Sequence, residues 1–405
     1  MNLSLIGSEI TSRGGSDAAG FAGVSHREAS HGAASTSKLD LLSLRAIGMI
    51  AALVISAAAC SAPAPSPQAV PAHTPTLPTQ PGATPRILPT PTHTASPTST
   101  PTPDPFEPFT IDHLRSREYD SGPIEIVSTL ETNPQFTRYL IAYPGDGLRL
   151  TGMMNVPIGD VTQRFPVIVL NHGYIDPARY VTGSDTRAAA DYLARAGYLT
   201  LSPDYNGYAG SSGGPDEAGP NVRGENTFRV DFAVDVLNLL HAIPSLPQAD
   251  PDRIGMWGHS MGGGITLKVL TVDHGARVKA AVLYGAMSGD EAANLQHIDQ
   301  MWRAGLYDRV TAVFGTPEDR PGDYARISPL TYLADIAAPV SIHHGTADNQ
   351  VPPAWSRDLA QRLTGIGKSV EDFEYNGAGH SFFGPTWTLF MQRVTAFFDR
   401  YVKFE

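Results

Sequence analysis

Arg253-Ile254-Gly255-Met256-Trp257-Gly258-His259-Ser260-Met261-Gly262-Gly263-Gly264 is the stretch that decides the fold. Arg253 to Trp257 reads as a strand and Met261 to about Val272 as a helix, which leaves Ser260 on the turn between them. Gly258 to Gly262 has the form G-x-S-x-G. A serine on a strained strand-to-helix turn needs small neighbours on both sides, because the backbone folds back sharply and passes close to adjacent elements. Such a turn lifts the hydroxyl above the sheet and aims the partial positive charge of a helix N-terminus at a reacting group. Five-residue patterns arise by chance, and a glycine-rich turn with an incidental serine is the bland alternative. The flanking strand and helix argue against it.

Outward from this turn the chain alternates strand and helix. Ile124 to Val127 and Leu148 to Leu150 are short alternating runs separated by turn residues at Pro144 to Gly147, and they read as two antiparallel opening strands. Pro166 to Leu170, the third strand in this count, is continuously apolar, as expected of a strand buried on both faces. Further strands are expected at Tyr198–Leu201, Val278–Tyr284, Val340–His343 and Val370–Tyr375. Helices are expected at Thr186–Gly197, Thr227–Ile243, Ala354–Thr364 and Pro385–Val402. The pattern predicts an α/β fold with a mostly parallel sheet and helices on both faces. Residues 287–335 break the alternation between strands 6 and 7. That insertion, rich in Met and aromatic residues, reads as a lid or pocket wall, with extra surface helices as the plain alternative.

A serine hydroxyl is a poor nucleophile at neutral pH without a base. His380 stands in Gly377-Ala378-Gly379-His380, directly after the last strand, and Asp348 follows the preceding one in His344-Gly345-Thr346-Ala347-Asp348. The expected roles are Ser260 as nucleophile, His380 as proton carrier and Asp348 as the carboxylate that orients it. The oxyanion donors are expected to be the backbone N–H of Met261 and that of Tyr174, in the loop Asn171-His172-Gly173-Tyr174. Tyr205, Tyr208 and Trp302 are expected to shape the substrate pocket. His343 and His344 read as structural, and His241, His274 and His297 have no comparable post-strand setting. Neither a metal nor another cofactor is expected, since no His-x-x-x-His or cysteine-based ligand set occurs.

With these motifs together, residues 120–400 resemble the α/β-hydrolase superfamily, and most of all the catalytic domain of prolyl oligopeptidases and their dienelactone-hydrolase and esterase relatives. The run His344 to Pro352 (His-Gly-Thr-Ala-Asp-x-x-Val-Pro) carries the oligopeptidase likeness, with Ser328-Pro329-Leu330, Asp204 to Tyr208 and Gly379-His380-Ser381. The resemblance implies an acyl hydrolase working on ester or peptide bonds through an acyl-enzyme. Two departures separate it from the peptidases. No β-propeller sequence precedes the domain, and Met261 stands where tyrosine is common. A carboxylesterase without peptidase activity is the alternative, and a catalytically inactive binding protein on the same fold is the alternative of another class.

The front of the chain has a different composition. Ser61 to Pro105 holds 14 prolines, 10 threonines and 4 serines in 45 positions, with Arg86 and Asp104 its only charges. Such a segment buries too little apolar surface to offset its ordering entropy and reads as an extended linker. Before it, Arg45 leads into the apolar run Ala46–Ala59 and then Cys60, the only cysteine. Fourteen residues are short for a membrane span but suit a secretory signal. The pattern resembles a bacterial lipoprotein signal with Cys60 as the lipidated residue, although Ala57 replaces the usual Leu. An uncleaved anchor, secretion with cleavage near Ala59, and a cytoplasmic protein are the alternatives. Residues 1–38 match neither signal nor domain, as a start assigned too far upstream would leave them. The expected organisation is a leader over 1–60, a linker over 61–108 and a catalytic domain over 109–405. Basic minus acidic residues is 29 − 40 = −11, without a basic block, so nucleic acid is not an expected partner. A small ester or short peptide is the expected ligand.

Overall fold

The strands are β1 (Glu125–Thr132), β2 (Phe136–Gly145), β3 (Leu148–Pro157), β4 (Phe165–Asn171), β5 (Leu199–Pro203), β6 (Ala249–His259), β7 (Val278–Tyr284), β8 (Val340–Gly345) and β9 (Val370–Tyr375). They form one sheet in the order β1-β2-β3-β5-β4-β6-β7-β8-β9. β1 to β3 pair antiparallel, as do β3 and β5, and every pairing from β5 to β9 is parallel. This is the α/β-hydrolase fold. The computed structural model describes residues 104–160, 162–213 and 227–404. The leader, Cys60 and nearly all of the Pro/Thr-rich segment lie outside the described residues.

The alternating pattern predicts two opening strands, and the structure has three. β2 escapes the pattern because its burial does not alternate: Ile141, Ala142 and Tyr143 are buried in succession. Arg138 is buried as well, held by Glu131, Asp191 and Asn155. The extra strand moves the insertion from between strands 6 and 7 to between β7 and β8. The turn is also narrower than expected. Pro144 and Gly145 belong to β2, and only Asp146 and Gly147, both with positive φ (51° and 79°), close the hairpin to β3. The folded chain starts ahead of residue 109, because Phe106 is fully buried against Phe314 and Tyr324.

Alternate residues of the central strands enter two separate cores. Val167 and Val169 of β4 and Ile254 and Met256 of β6 face one side, with α3 (Val230–Ala242) and α4 (Met261–Asp273). Ile168 and Leu170, with Trp257, face the other, under α2 (Arg187–Arg195) and α9 (Gly384–Phe398). Burial on both faces is why these strands read as unbroken apolar runs. The insertion folds into α5 (Glu291–Met301), α6 (Leu306–Phe314) and α7 (Pro321–Ile327), followed by a 3₁₀ segment over Pro329–Asp335. The remaining helices, α1 (Ile111–Ser116) and α8 (Pro353–Gly365), complete the layer on the α4 side.

The β6–α4 turn is set by contact distances. A Cβ at Gly262 would lie 2.1 Å from the Asn171 carbonyl oxygen, and one at Gly258 would lie 2.3 Å from that of Gly262. Both clashes are with backbone, which cannot swing away. Gly262→Ala is therefore expected to destabilise the protein by about 3 kcal/mol or more, as overpacking against rigid neighbours does. Gly322 is the opposite case, within α7 and with nothing within 4 Å of its added Cβ. Gly322→Ala is expected to raise stability by about 0.5–1 kcal/mol through helix propensity. Thermal melts of both variants check the pair; equal melting temperatures would contradict the packing argument.

Candidate active site

Ser260 lies between β6 and α4 with φ 57° and ψ −120°, a strained backbone for a residue with a Cβ. Its neighbours fix that conformation. The Ser260 N–H donates to the Tyr284 carbonyl (2.9 Å), and its own carbonyl accepts from Gly263 and Met287 (3.0 Å each). Met261 is the first residue of α4, so no carbonyl one turn back in the helix uses its amide. Across from it, the Gly173 N–H is taken by Asp185 Oδ2 at 2.7 Å, while the Tyr174 amide has no partner among the described residues. Gly173 also allows close approach, since a Cβ there would lie 3.1 Å from Ser260 Cβ.

Asp348 follows β8, and both its oxygens are used. Oδ1 accepts from the Gln350 and Val351 amides (2.8 and 3.0 Å), and Oδ2 from His380 Nδ1 (2.7 Å) and His344 Nε2 (3.0 Å). Burial pushes this carboxyl up, but hydrogen bonds from His344, His380 and the backbone prevail and hold it below the usual carboxylate range. Ser260 and His380 line one cavity of about 1030 Å³. The Ser260 hydroxyl makes no hydrogen bond among the described residues, as is common before a substrate tightens such a pair.

His344 is more than a structural residue. Its Nε2 faces two acceptors, Asp348 Oδ2 and the Val351 carbonyl (3.1 Å), so that nitrogen carries the proton. Nδ1 then accepts from Ser356 Oγ at 2.7 Å. His343, by contrast, bonds Ser341 and Tyr375 among the described residues. A second missed group is Asp185, 74 positions from its partner His259. Their contact is His259 Nδ1 to Asp185 Oδ1 at 2.9 Å, and His259 Nε2 lies 3.1 Å from the His380 carbonyl. A post-strand histidine next to an acidic residue marks neither pair in sequence.

The insertion supplies one part of the cavity wall, through Leu295, Ile298, Met301, Trp302 and Leu306. Deeper in it, Arg229 pairs with Glu291, and Lys268 Nζ lies 2.8 Å from the other Glu291 oxygen. Although burial works to raise the Glu291 pKa, Arg229 and Lys268 hold this carboxyl below its ordinary range. Phe228 and Arg229 both take positive φ (60° and 53°), turning the Arg229 head towards Glu291 where α3 begins.

Of the three expected pocket residues, Tyr208 and Trp302 line the cavity; Tyr174, expected as an oxyanion donor, lines it too and is 63% exposed. Tyr205 does not line it. It is fully buried, stacked between His172 (4.3 Å) and Phe232 (4.9 Å), because its positive φ (62°) turns it into the core. Among the described residues its hydroxyl has no partner with good hydrogen-bond geometry. Tyr205→Phe is thus expected to raise stability by about 1 kcal/mol, the cost of one unsatisfied buried hydroxyl, and to leave selectivity among acyl chains unchanged. Trp302→Ala is expected to shift that selectivity several-fold. Melting curves and relative kcat/KM values over an ester series distinguish the two; a selectivity change in Tyr205→Phe alone would reverse the assignment.

Comparison with known proteins agrees with this fold. The sequence profile of the prolyl oligopeptidase family matches residues 184–405, more than half of the chain. The uncharacterized peptidase YtmA of Bacillus subtilis (strain 168) is 26% identical over 249 residues, which are 60% of this chain and 86% of that one. Among solved structures, the acylaminoacyl peptidase of Pyrococcus horikoshii superposes with a TM-score of 0.53 at 23% identity, over 67% of this chain. This chain spans only 42% of that peptidase's length. The acetyl xylan esterase of Paenibacillus sp. R4 superposes with a TM-score of 0.55 at 18% identity, over 72% of this chain and 92% of its own. At these identities the superpositions speak for the fold, and the profile speaks for the family. The chain belongs to the prolyl oligopeptidase family and is a serine hydrolase.

Proposed function

We propose that the protein cleaves carboxylic esters or amides of small acyl groups through an acyl-enzyme on Ser260. His380 takes the Ser260 proton and returns it to the leaving group, and Asp348 stabilises the imidazolium formed between those steps. The Met261 and Tyr174 amides receive the oxyanion; losing one such donor costs about 2.7–4 kcal/mol of transition-state stabilisation. The observation that carries this reading is the 2.7 Å contact of His380 Nδ1 with a carboxylate held ionised by four donors, in the cavity that Ser260 lines.

The charges inside the cavity favour particular substrates. Glu291 has a cation on each oxygen, so among the described residues the Arg229–Lys268–Glu291 group carries two positive charges against one negative. A substrate ammonium would add a third cation to this group, whereas a carboxylate would complete it. The proposed substrates are therefore neutral or anionic acyl compounds rather than peptides with a free amino terminus. Nitrophenyl esters matched in length and ending in methyl, carboxylate or ammonium test this, alongside a fluorophosphonate probe. Wild type is expected to label and Ser260→Ala is not, and the carboxylate ester is expected to exceed the ammonium ester by tenfold or more in kcat/KM. Arg229→Gln keeps the Lys268–Glu291 pair and is expected to erase that preference while sparing the methyl ester. Equal labelling of Ser260→Ala would sink the catalytic assignment; ammonium preference in wild type would sink the charge argument alone.

We infer that the domain works outside the cytoplasm on a lipid anchor at Cys60, with the Pro/Thr-rich segment as tether. Support comes from the Arg45–Cys60 pattern and from 45 residues that span up to roughly 140 Å in polyproline form. Detergent-phase partitioning of the full chain expressed in a bacterium is the check. Wild type is expected in the detergent phase and Cys60→Ser in the aqueous phase; no difference between them would count against lipidation.

A further inference from the structure

The residue before the nucleophile has an unusual proton inventory. His259 is buried, and both ring nitrogens face acceptors: Nδ1 meets Asp185 Oδ1 and Oδ2 (2.9 and 3.0 Å), and Nε2 meets the His380 carbonyl (3.1 Å). A carboxylate and a carbonyl both need a hydrogen between themselves and the ring. A neutral imidazole supplies only one, and its other lone pair would face an oxygen. His172 nearby contrasts with it. That ring also faces two carbonyls, but one contact is 3.3 Å and among the described residues no carboxylate bonds it, so burial pushes its pKa down.

Asp185 has its own second task. Oδ2 accepts the Gly173 N–H at 2.7 Å, on the loop that ends in Tyr174. The carboxylate sits on a positive-φ backbone (68°), the kind of local strain that surrounding contacts must hold in place. The groups facing His259 are Asp185 ahead of α2, Tyr284 of β7 stacked at 4.3 Å, His380 at 4.7 Å, and Asp348 behind it. Tyr284 also accepts the Phe382 N–H through its hydroxyl, two residues beyond His380.

We propose that Asp185 and a His259 that is protonated at neutral pH form a positioning ion pair that locks the loops of Gly173, Ser260 and His380 into one register. This rests on the triad reading above. In it, His259 does not exchange protons with substrate; it is held as a cation so that the His380 main chain has a donor beneath it. The same pair anchors the Gly173 amide, which leaves the next amide, Tyr174, directed to the oxyanion.

The device has a pH signature. Burial lowers the His259 pKa, but the Asp185 charge and hydrogen bond and the His380 carbonyl outweigh it and raise the value above that of ordinary histidine. Asp185, against its own desolvation, is pulled down to about 2 by the His259 charge and the Gly173 amide. With the pKa raised, the ion pair is intact below that value and is lost as pH climbs through it. Activity accordingly falls at alkaline pH for a reason that lies outside the triad.

The test uses the full chain and a neutral ester. In wild type, kcat is expected to fall along one alkaline limb. Asp185→Asn is expected to move that limb down by at least one pH unit and cut kcat about tenfold at pH 7.5, with KM within twofold. Asp185→Glu is expected to recover most of the loss, and His259→Gln to have low kcat and no alkaline limb. An unmoved limb in Asp185→Asn, or a change in KM alone, would overturn the proposal. Histidine ¹⁵N NMR of wild type is independent of variant folding and of the substrate. Both His259 nitrogens are expected to be protonated at pH 7.5, and a neutral ring there would overturn the ion pair even if the hydrolase reading stands. Absent ester turnover with an intact imidazolium would instead fault the triad reading.

Discussion

The α4 backbone meets the end of β4 at Gly262, where no side-chain carbon fits between that residue and the Asn171 carbonyl. This close approach holds the first turn of α4 beneath the sheet edge and forces Ser260 into a positive-φ conformation at the top of β6. The rest of the site is arranged around that point. Asn171 leads into the loop bearing Gly173 and Tyr174, Tyr284 of the neighbouring strand receives the Ser260 amide, and Met287 caps the Ser260 carbonyl at the start of the insertion. The strain is tolerable because several elements share it. α4 is buried along its entire length between the sheet and α3, so a local relaxation at Ser260 would break packing on every side.

Charge is handled in the same economical way. Buried ions are expensive unless each is bonded, and the groups around this cavity are bonded in closed sets. Asp348 has four donors, Asp185 has an imidazolium and an amide, and Glu291 has two cations. Among the described residues the Glu291 set carries a net positive charge, whereas the Asp348 set is net negative until His380 takes the Ser260 proton. The Asp348 and Asp185 sets lie beside Ser260 and His380, where fixed geometry matters; the Glu291 set lies where a bound group can supply the missing charge.

Much of the fold can be read from local pattern, and β2 shows the limit of that reading. Its Arg138 looks like a solvent-facing residue until Asp191 on α2 and Asn155 on β3 are brought to it by pairing. Tyr205 illustrates the converse. In sequence it shares a tyrosine-rich loop with Tyr208, yet a single positive φ turns one ring into the core and leaves the other on the cavity. His344 was legible as part of a motif but not as a donor to Asp348, since a one-turn reach across a loop depends on the loop's path.

By itself the amino-acid order determined what depends on neighbours along the chain. The glycines around Ser260, the apolar runs of the doubly buried strands, and the placing of Asp348 and His380 just after strands all express short-range constraints on backbone geometry and burial. The tertiary structure alone decided which distant charges meet. Asp185 reaches His259, and Arg229 reaches Glu291, only because a parallel sheet gathers loops from separate strand ends at one edge. Electrostatic energy depends on distance in space and on the water excluded between the charges, and neither quantity is written along the chain.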